Sequence, residues 1–356
     1  MVILQRDALY YYIRCRGICL KTLERKAMND ITDNKSESFG ELLRASMKSK
    51  DTEEWLDVHF TRPIGLAFAL LWRRLGVHPN AITLLSIVLG ACAGWMFYYT
   101  DLPHNIAGVA LLMLANFCDS TDGQLARLTG QKTLAGRILD GFAGDVWFFA
   151  IYLAICLRLM PQNMPGTTFL WGWWIFALAF VAGVLCHSPQ SSLADYYRQI
   201  HLFFLNGRQG AELDSYAKMH ATYLALPRKG AFWARAFYFN YQHYCNSQEK
   251  RTPAFQRLRE AAGRRYGGLD KLPADLKNEF LAGSRPLMPL TNILTFNTRA
   301  ICLYVFCLLN IPWAYFLVDI IVMSMICIYM HHRHEKLCLG LTRKILSANE
   351  DKDTHL

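Results

Sequence analysis

Apolar stretches of roughly twenty residues recur along this 356-residue chain, and they constrain its fold more than any other feature. Helices of ~20 apolar residues cross the hydrocarbon core of a bilayer, where backbone polar groups must be bonded within the segment itself. The sequence therefore predicts an all-α integral membrane protein with six transmembrane helices. The six stretches cover residues 81–100, 105–127, 136–158, 168–190, 290–309 and 313–331.

The distribution of basic residues predicts the orientation of these helices. The connections at 100–105, 161–167 and 310–312 contain no Lys or Arg, whereas the segment 195–290 carries 15 Lys and Arg against 8 Asp and Glu. Basic loops favour the cytoplasmic side. We therefore expect both termini and the active site at the cytoplasmic face, in a bacterial inner membrane. Arg158, near the outer end of the third span, is the exception.

The composition predicts six regions in chain order. These are a polar N-terminal leader (1–50), a juxtamembrane amphipathic helix (51–77), a transmembrane catalytic core of spans one to four (78–193), a cytoplasmic or interfacial insertion (194–288), spans five and six (289–334) and a cytoplasmic tail (335–356). The aromatic-rich insertion is interpreted either as helices on the inner membrane surface or as a small helical subdomain with its own core. No signal peptide is predicted in the leader.

The net charge of +10 suits several anionic partners: nucleic acid, an anionic membrane surface or a phosphorylated substrate. With six predicted spans, we exclude nucleic acid and expect membrane lipids and a phosphorylated substrate.

Four carboxylates interrupt the second and third apolar stretches: Asp119, Asp122, Asp140 and Asp145. A charge at the bilayer centre costs at least ~2.5–3.5 kcal/mol, so these groups should face a polar cavity or a cation. Asp119 and Asp122 are three residues apart and share a helix face, and a short turn returns the chain to Asp140. Converging carboxylates favour Mg²⁺ or Mn²⁺, and two such ions could clamp a diphosphate. The alternative is a buried Asp–Arg network with Arg127 that only fixes helix packing.

At residues 119–141 the sequence reads DSTDGQLARLTGQKTLAGRILDG, which resembles the signature of the CDP-alcohol phosphotransferase family. The segment from His78 to Thr83 also resembles the entry to that family's first span. The matching signature residues are Asp119, Asp122, Gly123, Ala126, Arg127, Gly136 and Asp140.

The resemblance implies a chemistry and a set of roles. An acceptor hydroxyl attacks the β-phosphorus of a CDP-linked donor, CMP leaves and a phosphodiester forms. Asp119, Asp122 and Asp140 would bind the metal. The residues expected to line the nucleotide site are Asp119, Gly123, Ala126, Arg127 and Gly136. The family also implies a homodimer and a last aspartate that serves as general base.

The fourth acid departs from the family pattern, because position 144 is glycine and Asp145 comes one residue late. In a regular helix Asp145 lies about 140° from Asp140, against about 40° for a four-residue step. One hypothesis is a π-bulge near Gly141 or Gly144 that turns Asp145 toward the site as a metal ligand and general base. The alternative is that Asp145 packs against a neighbouring helix or an interface.

The sequence leaves the substrates open. The preferred interpretation is a CDP-diacylglycerol or other CDP-lipid donor with inositol phosphate or a similar polar alcohol. Arg198, Arg285 and Arg299 are candidates for the acceptor phosphate, and the cluster around His187, Gln190 and Asp195 for its hydroxyls. The alternatives are a choline- or ethanolamine-type enzyme that uses diacylglycerol or a ceramide-like lipid as acceptor, and a membrane scaffold without catalytic activity.

Overall fold

A computed structural model describes residues 39–46, 49, 51–131, 133–207, 211 and 213–353, and the described residues contain helices and no β-strand. The chain divides into two units, Met1–Ser46 and Met47–Leu356. The described part of the first unit is helix α1 (Phe39–Ser46). Most of the predicted polar leader lies outside the described residues.

The second unit contains fourteen further α-helices among its described residues. The first seven are α2 (Arg62–Arg74), α3 (Pro79–Phe97), α4 (Leu102–Thr129), α5 (Leu134–Leu159), α6 (Trp174–Phe180), α7 (Ser188–Asn206) and α8 (Tyr216–Ala225). The others are α9 (Phe232–Arg251), α10 (Pro253–Tyr266), α11 (Ala274–Ser284), α12 (Met288–Ile293), α13 (Phe296–Leu308), α14 (Trp313–Val318) and α15 (Ser324–Asp353). Three π-helical segments, Asp57–Thr61, Val181–His187 and Asp319–Met323, each continue directly into an α-helix.

Five helical segments are long and apolar enough to cross a membrane. They are Pro79–Phe97, Leu139–Leu159, Trp174–Asn206, Ala274–Leu308 and Trp313–Ser347. The remaining predicted span lies on α4, whose 28 residues exceed the ~20 needed to cross. Its acidic residues lower its hydropathy, so six spans stay a prediction. The same holds for the interfacial placement of α2.

The sequence before and within the first turn of α3 determines where this helix begins. α3 begins at Pro79, and the His78 side chain caps it by accepting a hydrogen bond from the backbone N–H of Asn80 at 3.2 Å. Asn80 and Thr83 lie inside the helix, and the Thr83 hydroxyl oxygen is 3.3 Å from the carbonyl oxygen of Pro79.

Small residues let α3 approach its two neighbours closely. A Cβ on Gly90 would lie 2.0 Å from the Trp147 indole of α5, and a Cβ on Gly94 would lie 2.8 Å from the backbone of Ala150. Both α4 and α5 pack more closely on α3 than on each other. Helix α3 is therefore the common support of the two helices that carry the acidic motif.

A second core joins the insertion to the last helix. Buried side chains of α7, α10 and α11 pack with those of α15 in one apolar cluster that includes Tyr197, Phe255, Phe280 and Leu341. The inner helices of the insertion therefore share a core with candidate spanning segments. The placement of the insertion on the inner membrane surface stays a prediction.

Arg158 was the exception to the charge rule, and the structure gives the reason. The side chain is only 3% exposed, and its guanidinium donates to the carbonyl of Phe97 at 3.0 Å. It also donates to the amide oxygens of Asn105 at 2.9 Å and Asn310 at 2.6 Å. Arg158 thus ties three helix ends together instead of marking a cytoplasmic loop.

Candidate functional site

Three of the four predicted carboxylates converge at the site. Asp119 and Asp122 lie on α4 and Asp140 lies on α5, and one oxygen from each lies within 4.8 Å of the others. Asp122 is buried, Asp119 is half-buried and Asp140 is exposed, so the cluster has a closed side and an open side. The αL conformation of Gly130 ends α4, and Thr133 caps α5 through the backbone N–H of Gly136 at 2.9 Å.

The donor set fits a hard divalent cation. Three carboxylates supply only oxygen ligands, the type that Mg²⁺ and Mn²⁺ prefer. None of the ion pairs found among the described residues involves Asp119 or Asp122. The Arg127 pairing required by the packing alternative is therefore not formed with either carboxylate. The Thr83 hydroxyl donates a hydrogen bond to Asp122 and fixes the orientation of that carboxylate.

The motif glycines lie where the backbone and its neighbours come close. A Cβ on Gly136 would lie 2.9 Å from the side-chain oxygen of Asn80. A Cβ on Gly123 would lie 3.4 Å from the Arg127 guanidinium, which is exposed at the same end of α4. Ala126 lies on this end too and is partly exposed. Gly136 therefore lets α5 approach the Asn80 side chain of α3, and Gly123 leaves room for the Arg127 guanidinium.

Asp145 does not join the cluster. Helix α5 is regular from Leu134 to Leu159, so the π-bulge predicted near Gly141 or Gly144 is wrong. Because the helix has no bulge, the five-residue step from Asp140 places Asp145 about 140° around the helix axis from Asp140. The Asp145 side chain is exposed, and it is not among the three carboxylates that converge.

A polar cavity of about 190 Å³ borders α4, the helix that carries Asp119 and Asp122. Its wall includes Arg62 and Asn116, and Asn116 precedes Asp119 by one turn of α4. The other lining residues are Thr52, Glu53, Glu54, Asp57, Arg198, Asn292, Thr295, Phe296 and Asn297. We call this space the polar cavity.

Carboxylates on one side of the polar cavity are held by an amide. The side-chain N–H₂ of Asn297 donates to Glu54 at 2.7 Å and to Asp57 at 2.9 Å. Burial raises the pKa of Glu54 and the neighbouring charge of Asp57 raises it further, whereas the hydrogen bond from Asn297 and the nearby charge of Arg198 lower it. Glu53 is neutralised by Arg62, with the two charged groups 3.1 Å apart.

Of the three arginines predicted to bind an acceptor phosphate, one lines this cavity. Arg198 lies in its wall. Arg285 donates to Asp51 at 2.9 Å instead. Arg299 is fully buried and paired with Asp319, so the prediction that it binds a substrate phosphate is wrong in this structure.

His187, Gln190 and Asp195 were predicted to bind the acceptor hydroxyls, but in the structure they contact other residues of the protein. Gln190 accepts from Arg299 at 2.7 Å and donates to Ser324 at 2.9 Å. His187 lies 3.1 Å from the Tyr152 hydroxyl, and Asp195 accepts a hydrogen bond from Gln199 at 3.4 Å. His187 and Gln190 therefore belong to a buried polar network around Asp319, and none of the three predicted residues lines the polar cavity.

The sequence did not single out several residues that shape the site. Thr83 is 39 residues from Asp122, and Asn297 is 243 residues from Glu54. The Pro-Asn…Thr pattern that ends at Thr83 was a usable signal for the first contact. No local pattern marks Glu54, Asp57 or Asn297, because their contact exists only after the chain has folded.

Comparison with known proteins places the motif in a family. Residues 76–200 match the family profile described as CDP-alcohol phosphatidyltransferase. A probable cardiolipin synthase (CMP-forming) from Drosophila melanogaster is 25% identical over 126 residues, 35% of this chain and 38% of that protein. An archaetidylinositol phosphate synthase from Pyrococcus horikoshii is 35% identical over 66 residues, 18% of this chain and 34% of that protein.

A third relative is the bifunctional IPC transferase and DIPP synthase of Aquifex aeolicus, 27% identical over 114 residues, which are 32% of this chain and 24% of that protein. The chain thus aligns with about a quarter to two fifths of the length of these relatives. The matched profile contains the converging carboxylates Asp119, Asp122 and Asp140 and their partner Thr83. Residues 76–200 of this chain are a CDP-alcohol phosphatidyltransferase domain, as the motif predicted.

Proposed function

We propose that this protein transfers a substituted phosphate from a CDP-linked donor to an alcohol hydroxyl and releases CMP. The observation that carries the proposal is the convergence of Asp119, Asp122 and Asp140 within a segment that matches the family profile. The three relatives, by their names, are synthases or transferases, and two of the names refer to lipid products. The five apolar helices agree with a lipid-synthesising enzyme in a membrane.

The proposed roles follow from the geometry of the carboxylates. Asp119, Asp122 and Asp140 hold one or two Mg²⁺ or Mn²⁺ ions, and Thr83 keeps Asp122 in the orientation that binds. When bound, such ions neutralise the charge that develops on the donor diphosphate. Gly123, Ala126 and Gly136 line the nucleotide site, and the exposed guanidinium of Arg127 contacts the phosphates of the nucleotide.

We place the lipid on the donor and a small polar alcohol, such as inositol phosphate, on the acceptor side. The polar lining of the cavity beside the metal centre supports this arrangement, because ten of its eleven lining residues are polar or charged. Family resemblance further suggests a homodimer whose active site faces the cytoplasm. The role of general base is not assigned to Asp145, because it lies outside the cluster.

A CMP-release assay on the purified protein tests the proposal. With Mn²⁺ or Mg²⁺, CDP-diacylglycerol is supplied with inositol phosphate, inositol, glycerol phosphate or serine. CDP-ethanolamine is supplied with diacylglycerol or ceramide. We expect metal-dependent CMP release with CDP-diacylglycerol and a polar alcohol, and loss of release in Asp119→Asn. An absence of CMP release with every pair would contradict the enzymatic function and favour the scaffold.

A further inference from the structure

We propose that the polar cavity is the acceptor pocket, and that it selects a small polyhydroxylated alcohol carrying one anionic group. This inference rests on the proposed function and deepens it, because it names the chemical class of the acceptor. Three features carry it: the position of the cavity beside α4, the carboxylates in its wall and an arginine in the same wall whose Nε is buried without a hydrogen-bond partner among the described residues.

The cavity is continuous with the metal-binding helix. Asn116 faces the cavity one turn before Asp119 on α4. On the other side, the backbone carbonyl of Arg62 accepts a hydrogen bond from Gln124 at 3.2 Å, two residues after Asp122. An alcohol in the cavity would therefore lie beside a donor phosphate held at the three carboxylates.

Several residues in the cavity wall are suited to hydroxyl groups. Asn297 holds Glu54 and Asp57 through one amide nitrogen, at 2.7 and 2.9 Å. Each carboxylate offers about four lone-pair sites, so both keep acceptor capacity for further donors. Asn116 and Asn292 add amide groups that both donate and accept. Neighbouring hydroxyls of a polyol can satisfy such a set, whereas an alkyl chain cannot.

The wall also carries a positive charge, Arg198, which lies near Glu54 without forming an ion pair with it. Arg198 donates through Nη2 to neutral partners, Asn292 at 3.1 Å and Thr295 at 3.4 Å. Its Nε is buried without a hydrogen-bond partner among the described residues. By contrast, the Arg62 guanidinium is already neutralised by Glu53. A guanidinium with uncommitted donors binds phosphate or carboxylate oxygens, so the pocket provides for a single anionic group.

The same lining argues against a lipid alcohol. Phe296 is the only apolar residue in the wall, and three carboxylates face the space. Diacylglycerol or ceramide would place apolar surface against these groups and leave them without hydrogen bonds. The pocket therefore requires the lipid to be on the CDP-linked donor.

The test compares two acceptors that differ by one phosphate, inositol 1-phosphate and inositol, with CDP-diacylglycerol, Mn²⁺ and the full chain in nanodiscs. We expect Arg198→Met to raise KM for inositol 1-phosphate about 10- to 100-fold, as for loss of a charge-assisted hydrogen bond, and to change KM for inositol less than about 2-fold. Arg198→Lys should recover part of the loss. Asn297→Leu should raise KM for both acceptors, because it releases both carboxylates.

Exposed Arg257 provides the matched control, and Arg257→Met should leave both KM values unchanged. Mn²⁺-dependent binding of CDP, measured directly, shows that each variant is folded and keeps its donor site. The pocket is refuted if CMP is released while Arg198→Met and Asn297→Leu both leave the two KM values unchanged. It is also refuted if diacylglycerol with CDP-ethanolamine is the productive pair. Failure of the proposed function looks different: the wild type then neither releases CMP nor binds CDP with Mn²⁺.

Discussion

The Thr83 hydroxyl donates a hydrogen bond to the Asp122 carboxylate, which joins α3 to the acidic motif on α4. Both groups are buried, so neither exchanges this contact for water. The bond leaves the other lone pairs of Asp122 available to a cation. One hydroxyl on the supporting helix therefore sets the direction of the most buried carboxylate of the site.

Thr83→Val should weaken metal binding without unfolding the protein, because valine keeps the shape of threonine and removes only the hydroxyl. Loss of an outer-sphere partner of this kind costs about 10- to 100-fold in metal affinity. Titration of Mn²⁺ by electron paramagnetic resonance measures this affinity. Thr129→Val is the control, because among the described residues that hydroxyl bonds the carbonyl of Leu125 on the same helix, at 2.8 Å. Equal affinities in wild type and Thr83→Val would contradict the role of the hydroxyl.

The four carboxylates should separate into two classes. Asp119→Asn, Asp122→Asn and Asp140→Asn should each lower Mn²⁺ affinity by more than the 10- to 100-fold expected for an outer-sphere partner, because each removes a direct ligand. Asp145→Asn should leave Mn²⁺ affinity within about 2-fold, since its side chain is exposed outside the cluster. A large loss of affinity in Asp145→Asn would show that Asp145 reaches the metal.

Gly144→Asp should add a fourth carboxylate to the centre. Position 144 is one turn after Asp140, and a Cβ there meets no atom within 4 Å, so the new side chain has room. We expect tighter Mn²⁺ binding in Gly144→Asp than in wild type. Gly144→Asn fills the same space without the charge and should bind Mn²⁺ less tightly than Gly144→Asp. If the two variants bind equally, the side chain at 144 does not face the metal.

Gly90→Ala should lower thermal stability strongly. Its Cβ would overlap the Trp147 ring, which is 2% exposed and cannot move into solvent, and overpacking of this kind costs about 1–3 kcal/mol or more. Gly340→Ala is the control, because a Cβ there has open space. Alanine favours a helix by about 1 kcal/mol over glycine, so this control should melt at or above the wild-type temperature. Melting in detergent, followed by circular dichroism, measures both.

Arg299 and Asp319 should act as one unit in stability. Both side chains are fully buried and form an ion pair, so Arg299→Met alone should destabilise by about 3–5 kcal/mol by leaving a buried charge. The double variant Arg299→Met with Asp319→Leu should recover part of this loss. Lys344→Met breaks the exposed pair with Glu279 and should cost no more than about 1 kcal/mol. Independent, additive effects at Arg299 and Asp319 would contradict the coupling.

Local sequence determined the helices and the three carboxylates that converge. Apolar runs predict spanning helices because lipid leaves the backbone no partner outside the segment. The three-residue step from Asp119 to Asp122 and the short turn before Asp140 predict a shared site, because both depend on contacts close in the chain. The same reasoning gave the correct angle for Asp145 in a regular helix, and it was the added bulge that was wrong.

Tertiary structure alone decided which distant side chains complete the site and which do not. The sequence offered no reason to distinguish three arginines as candidates for the acceptor phosphate. In the structure Arg198 lines the polar cavity, Arg285 pairs with Asp51 and Arg299 is buried against Asp319. Asn297 meets Glu54 across 243 residues. Whether a charged side chain can bind a substrate depends on whether an oppositely charged side chain packs beside it. Helix packing sets that pairing, and no local pattern in the sequence records it.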